Sequence, residues 1–271
     1  MLRSLYSGVS GMRGFQTKLD VIGNNIANVN TTGFKSSSVS FSDIMSQTVS
    51  GVTAAVEGEN GGVNAQQIGL GVSMAAINTN HTNGSAQTTN NPLDLRIDGD
   101  GFFLVKLTAE QDPPYLTRAG DFHLDAARQL VTSDGLFVCD INGDPITIND
   151  DTTAFTISQD GTIVQTSEAG TDTAVAIGVG VVTNPEGLEK IGGNLYRITL
   201  NSSLDGEFEP LAANDGATGT GAIVAGQLEM SNVELTAEFT EMIVAQRGFQ
   251  ANSRIITTSD SILEEVVNLK R

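Results

Sequence analysis

The first segment of the chain carries an apolar residue at every seventh position. This column consists of Leu5, Met12, Leu19 and Ile26, and it is flanked by Leu2, Val9, Phe15, Ile22 and Val29. Heptad spacing aligns such side chains on one helix face, so residues 2–29 are predicted to form a helix with a narrow apolar seam. Gly8, Gly11, Gly14 and Gly23 weaken this helix in isolation. They are easier to explain if other backbones approach the helix closely.

The last segment of the chain repeats this design. Its heptad column is Leu235, Met242, Phe249, Ile256 and Leu263, with Ile255, Ile262 and Leu269 in an adjacent column. Ser231 or Asn232 is the expected N-cap of this second helix. Positions beside the column, such as Ala245 and Asn252, are often small or polar. The apolar stripe is therefore narrower than that of a helix packed in a globular core.

Two arrangements fit such terminal helices. They could pair within one chain as a two-helix coiled coil, or they could pack with the termini of many copies as the core of a polymer. The polymer is favoured, because a narrow seam buried on one side gives little stability to a helix that contains several glycines. The residues expected at the subunit interface are Leu5, Met12, Leu19, Ile22, Ile26, Leu235, Met242, Phe249, Ile256 and Leu263.

The middle of the chain has a different pattern. Residues 31–75 show no sustained period and are predicted to be an irregular connecting linker. Over 76–231, short apolar runs alternate with turn pairs such as Asp134-Gly135 and Asp160-Gly161, as in antiparallel β domains of the sandwich or barrel-like type. The sequence therefore predicts an α+β protein. Its helical core domain comprises 1–30 and 232–271, and a β-rich outer domain follows the linker.

Charge is segregated between these regions. The 271 residues have a net charge of −18, yet residues 1–35 and 232–271 hold 8 basic and 7 acidic side chains. The remaining middle holds 6 basic and 25 acidic ones. Nearly neutral ends can be crowded against copies of themselves, whereas the acidic middle should face water. The few, scattered cations argue against nucleic-acid binding, and no apolar run is long enough for membrane insertion.

The chain offers little material for catalysis. It contains one cysteine and two histidines, so no disulfide, catalytic residue, metal site or cofactor site is expected, and the protein is not predicted to be an enzyme. Asp140–Asp144 begins like a calcium loop, but Pro145 stands where that loop needs glycine, and a hairpin turn is expected instead. Cys139 is predicted to be a buried thiol, and His123 an outward-facing strand residue.

Three motifs resemble the bacterial flagellar rod and hook axial proteins. The stretch from Leu19 to Lys35, LDVIGNNIANVNTTGFK, resembles their N-terminal signature, and IDGDGFF at Ile97–Phe103 resembles part of their β domain. The C-terminal run that includes Met242–Arg247 and ends in VNLKR most resembles the hook proteins. The resemblance extends over nearly the whole chain.

This resemblance implies a structural subunit of the flagellar hook, in a short form. Such subunits form a flexible tube that transmits torque from rod to filament around a central export channel. The implied partners are copies of the chain itself, the distal rod protein, the hook–filament junction protein, the hook cap and the type III export apparatus. The implied location is the extracellular hook and basal body, reached without a cleaved signal peptide. The alternatives are the distal rod protein and, from another class, a secreted β-domain adhesin or binding module.

Overall fold

The computed structural model describes residues 2–54, 61–108, 110–167, 170–203, 210–216 and 218–269. Two α-helices occupy the ends of the chain, α1 at Leu2–Ala27 and α2 at Leu235–Asn268. A 3-10 turn spans Pro185–Gly187. The strands are β1 Ser37–Asp43, β2 Ser46–Ser50, β3 Gln66–Gly69, β4 Val72–Thr79, β5 Ala86–Thr88, β6 Leu95–Asp98, β7 Phe102–Lys106, β8 Tyr115–Thr117, β9 Phe122–Leu124, β10 Leu130–Thr132, β11 Phe137–Val138, β12 Thr152–Ile157, β13 Thr162–Ser167, β14 Gly170–Ala176, β15 Val179–Gly180, β16 Glu189–Gly192, β17 Leu195–Arg197, β18 Ala222–Ala225 and β19 Gln227–Glu229.

The chain divides into two compact units. The helical unit consists of Met1–Ala27, Ser37–Thr79 and Glu234–Arg271, and the β unit consists of Asn28–Ser36 and Asn80–Val233. The predicted α+β class, with terminal helices and a mainly antiparallel β domain between them, is confirmed. Neither described helix is long and apolar enough to cross a membrane.

The β unit is built around an antiparallel sheet with the strand order β16-β17-β8-β7-β11-β10-β9, and β15 also pairs with β7. Strand β7 is buried on both faces because its side chains alternate between two clusters. Phe103 and Val105 pack in one cluster, and Phe102 and Leu104 pack in the other. Among the described residues, the two end strands of this sheet do not pair with each other, so the sheet is open.

The turns of the β unit follow the predicted pattern. Gly135 and Gly161, each preceded by aspartate, have φ angles of 81° and 76°. This left-handed region is accessible to glycine without steric cost. The Asp140–Asp144 stretch is also a turn, in which the Asp140 carboxylate accepts hydrogen bonds from the Asn142 and Asp144 amides at 2.8 Å each. Cys139 is buried and His123 is exposed, as predicted.

The predicted linker is more regular than its sequence suggested. Strands β1 and β4 pair antiparallel, and so do β2 and β3. The two pairs are continuous, because Ile44 N donates to Gly71 O at 3.1 Å and Leu70 N donates to Met45 O at 2.9 Å. We call this two-stranded element, residues 37–79, the ribbon; its residues 55–60 lie outside the described part. Strands β2 and β3 are exposed at every position, so they lack the alternation by which a half-buried strand is recognised.

The start of α2 also differs from the prediction. Glu234 is the N-cap, and its side chain makes no capping hydrogen bond. Asn232, an expected cap, bonds elsewhere in the β unit: its Oδ1 accepts from Ser36 N at 2.7 Å, and its Nδ2 donates to Asn80 O at 2.8 Å. The Ser231 hydroxyl accepts from Val233 N at 3.3 Å. Both side chains therefore stabilise the segment before the helix.

Candidate assembly interface

Helices α1 and α2 pack antiparallel within the helical unit. Lys18 Nζ lies 3.0 Å from Glu241 Oε2, whereas Ser4 Oγ, fourteen residues earlier, lies 3.5 Å from Ser259 Oγ in a later turn of α2. Residues with lower numbers in α1 therefore contact residues with higher numbers in α2, as expected for antiparallel helices. At the end of α1, buried Asn25 donates to Glu238 Oε1 at 3.0 Å. The intramolecular helix pair expected as one of the two arrangements is therefore present.

Glycines allow these helices to approach each other closely. A Cβ added at Gly11 would lie 2.7 Å from Asn252 Nδ2, and one added at Gly248 would lie 2.5 Å from the Phe15 ring. Both distances are shorter than van der Waals contact. By contrast, a Cβ at Gly23 would meet nothing within 4 Å. The expected close approach thus occurs at Gly11, and it also occurs at Gly248 of α2, which was not among the expected glycines; the approaching helix belongs to the same chain.

The heptad residues do not share one environment. Ile22 is buried; Leu5, Met12, Leu19, Ile26, Met242, Ile256 and Leu263 are half-buried; Leu235 and Phe249 are exposed. Ile256 faces α1, since its Cγ1 lies 3.3 Å from the position of a Cβ on Gly8. The structure therefore brings part of the two columns together along the helix pair. The contact of these residues with neighbouring subunits stays a prediction.

Helix α2 exposes apolar side chains on both sides of the strip that faces α1. Ala245 and Ser259 are its buried residues. At 100° per residue, one flank of the buried strip carries exposed Leu235, Phe239 and Ile243, and the other carries exposed Val244, Ile255, Ile262 and Val266, continued by the C-cap residue Leu269. We call these two sets the α2 flanks. Exposed Phe249 lies within the strip, in the heptad column of Met242 and Ile256. Phe239, Ile243 and Val244 lie outside the two heptad columns, so the heptad pattern did not predict them as interface residues.

The ribbon adds further exposed apolar surface to the helical unit. Its exposed residues are Phe41, Ile44, Met45, Val49, Val52, Val63, Ile68, Met74 and Ile77. The Phe41 ring contacts Phe15 of α1, with centroids 6.3 Å apart. An open groove of about 430 Å³ lies between α1 and the ribbon, lined in part by Tyr6, Val9 and Met74. Soluble monomers rarely expose so many large apolar side chains close together outside interaction sites.

The β unit contains several groups with perturbed pKa values, and among its described residues these groups do not form a catalytic arrangement. Burial lowers the pKa of His81 to about 4, and the positive charges of Lys35, Arg118 and Lys190 act in the same direction. Burial likewise raises the pKa of the Cys139 thiol to about 11. The His81 ring packs edge-on against Phe102 and Tyr196. These environments favour the neutral forms and are those of packed core residues.

Three family models match separate parts of the chain. "Flagella basal body rod protein" matches residues 5–35, "Flagellar hook protein FlgE/F/G D1 domain" matches 96–165, and "Flagellar basal body rod FlgEFG protein C-terminal" matches 224–269. The flagellar basal-body rod protein FlgG of Bacillus subtilis is 55% identical over 273 residues, covering 100% of both chains.

The chain belongs to the flagellar rod and hook protein family. The corresponding rod protein of Borreliella burgdorferi is 37% identical over 276 residues and also covers 100% of both chains. The flagellar hook protein FlgE of the same organism is 28% identical over 450 residues, with 100% of both chains covered. These relatives are structural flagellar proteins, not enzymes, and a structural role in the flagellar basal body or hook follows from the match.

The comparisons also bear on the choice between hook and rod. The two rod relatives are 55% and 37% identical over alignments of 273 and 276 residues, close to the 271 residues of this chain. The Borreliella hook protein is 28% identical, and its alignment extends to 450 residues. The preference for the hook that the C-terminal run suggested is therefore not supported, and the alternative, the distal rod protein, fits better. Sequence reasoning weighted the last helix, which both branches share, above the length of the middle region.

Proposed function

We propose that this protein is a subunit of the distal flagellar rod that assembles with copies of itself into a tube. The observation that carries the proposal is the 55% identity to a rod protein over all of both chains. A rod subunit belongs to the basal body and is exported through the flagellar type III apparatus.

The helical unit is the proposed core of this tube. In a single chain the α2 flanks and the ribbon leave large apolar side chains in water, and burying one such side chain stabilises by about 1.5–3 kcal/mol. Lateral contact with other helical units would bury them. The half-buried heptad residues then hold the helix pair together within a chain, while exposed Leu235 and Phe249 join the surface between chains.

The β unit is the proposed outer layer of the tube. Its residues, 28–36 and 80–233, carry 7 basic and 22 acidic side chains. Surfaces with such an excess of one charge repel each other and favour contact with water. With the nearly neutral helices inside the tube and the acidic β units outside, charge repulsion in the core would be small and the charged surface would face water. A channel would run along the tube axis.

Imaging of polymers grown from the purified protein tests the proposed function. A rod subunit should form straight tubes, and straight tubes of constant diameter would support the assignment. Curved, supercoiled tubes would contradict it in favour of the hook. A protein that stays monomeric at millimolar concentration, with both helices stably folded, would instead support the adhesin alternative.

A further inference from the structure

A buried ionic cluster lies within the β unit, centred on Glu229 at the end of β19. Its Oε1 accepts from Lys35 Nζ at 2.6 Å and from Gly84 N at 2.9 Å. Its Oε2 accepts from Arg118 Nη1 at 3.2 Å. All three charged side chains are at most 3% exposed. One carboxylate is thus the ion-pair partner of two cations that are removed from water.

Both buried cations form their ion pair with this one carboxylate. Burial lowers the pKa of both Lys35 and Arg118, and the charge of Glu229 opposes the shift in each case. Lys35 also donates to Thr82 O at 2.8 Å, and Arg118 Nη2 donates to Gly99 O at 2.9 Å. Those carbonyls supply hydrogen bonds but no negative charge. Leaving a buried charge without its partner is among the most destabilising changes in a protein.

Lys35 belongs to the segment Asn28–Ser36, which we call the signature segment because it includes the end of the flagellar N-terminal motif. The segment is held in the β unit at the same place, since Gly33 N donates to Glu229 O at 2.8 Å. Asn194 Nδ2 also donates to Thr32 O at 2.8 Å. Gly33 has a φ of +68°, and a Cβ there would lie 2.5 Å from Ala119 N. The segment therefore fits closely against the sheet without belonging to it.

We propose that Glu229 is an electrostatic latch for the signature segment: its charge holds Lys35, and with it residues 28–36, to the β unit, and the latch can open while the sheet stays folded. The separation follows from the packing. The main apolar clusters of the β unit are formed by strands such as β7, β8 and β10. The signature segment contributes one buried apolar side chain, Phe34, which belongs to neither cluster, and its other attachments are hydrogen bonds and the Lys35 ion pair. Elements with few apolar contacts open at lower free energy than the core.

Amide hydrogen exchange on the full-length protein tests the latch. Glu229→Gln removes the charge but keeps the size of the side chain, and it leaves the Glu229 carbonyl that Gly33 uses. We expect exchange at Gly33 and Ser36 to rise at least about a hundredfold, because both cations lose their counter-charge. Exchange at β7 should stay within about threefold of the wild type. Unchanged exchange at Gly33 would overturn the proposal, and so would an equal loss of protection at β7.

Two further variants complete the test. Glu189→Gln is the matched control, since it breaks the exposed ion pair with Arg197 in the same unit; we expect no change beyond about twofold at the signature segment. Lys35→Met removes the anchor while leaving Glu229 paired with Arg118. We expect a local rise of at least about tenfold confined to residues 28–36. A rise in the control equal to that in Glu229→Gln would show that the buried charge has no special role.

Discussion

Ala245 of α2 is completely buried, whereas Val244, the residue before it, is 59% exposed. The two side chains point 100° apart on the helix. Ala245 lies on the face where Gly248 meets Phe15 of α1, while Val244 belongs to an α2 flank. The boundary between these residues separates the contact within one chain from the proposed contact between chains.

The first prediction concerns the α2 flanks. Val244→Asp should leave the monomer folded but weaken assembly, because a carboxylate cannot be buried between apolar surfaces without a partner. We expect the critical concentration for sedimentation to rise by about tenfold or more. Thr258→Asp, the same charge at an exposed polar position of α2, is the control and should sediment like the wild type. Equal sedimentation of both variants would rule out this flank as a subunit contact.

The glycines of the helix pair give a second prediction, with opposite signs at two positions. Gly248→Ala should destabilise the helices by about 1–3 kcal/mol, because its Cβ meets the Phe15 ring. Gly23→Ala should stabilise them by about 0.5–1 kcal/mol, because the space there is open and alanine favours helix. Urea unfolding of dilute monomer, followed by helical circular dichroism, measures both. Stabilisation by both substitutions would mean that the helices do not approach closely at Gly248.

A third prediction concerns pH. The pKa of His81 falls from an ordinary 6.5 to about 4. Between these pH values the His81 side chain binds a proton in the unfolded chain but not in the folded chain. The contribution of neutral, buried His81 to the free energy of unfolding is therefore fully present above about pH 6.5 and decreases as the pH falls towards 4. The decline attributable to His81 should reach up to about 3 kcal/mol. His81→Gln should remove this part of the pH dependence of urea unfolding, whereas His123→Gln, at an exposed position, should retain it. Parallel pH profiles for the two variants would contradict the burial of His81.

The single thiol provides a fourth prediction. Burial raises the pKa of Cys139 to about 11, and only the thiolate reacts readily. At about pH 8 the native protein should therefore react with a thiol reagent at least about a hundredfold more slowly than the protein in denaturant. Spectrophotometric titration of the thiol measures both rates. Rapid stoichiometric reaction of the native protein would show that β11 and its surroundings are not packed as described.

The sequence predicted those parts of the fold that depend on local periodicity. The heptads located both helices, and aspartate–glycine pairs marked turns such as those at Gly135 and Gly161. Periodicity could not distinguish Ile256, which faces α1, from Phe249 in the same column, which is exposed. That difference depends on where the partner helix crosses. Helix–helix contacts of this kind require the position of a residue distant in sequence.

Three other features had no readable local signal. Strands β2 and β3 of the ribbon are exposed at every position, so they lack the alternating pattern of a half-buried strand. The α2 flanks include Ile243 and Val244, which only a search for a broad apolar face would have found. The Lys35–Glu229 pair joins residues 194 positions apart, and single charged residues in a sequence do not indicate their partners. The choice between rod and hook needed relatives of known length.

Cysteine labelling in the polymer tests most directly whether the α2 flanks join one subunit to the next. Since native Cys139 is expected to be unreactive, a cysteine introduced as Val244→Cys would report on its own position. We predict rapid labelling in dilute monomer and labelling at least about tenfold slower in sedimented tubes, with little slowing for Thr258→Cys. Equal labelling rates for Val244→Cys in monomer and tube would contradict assembly through these flanks.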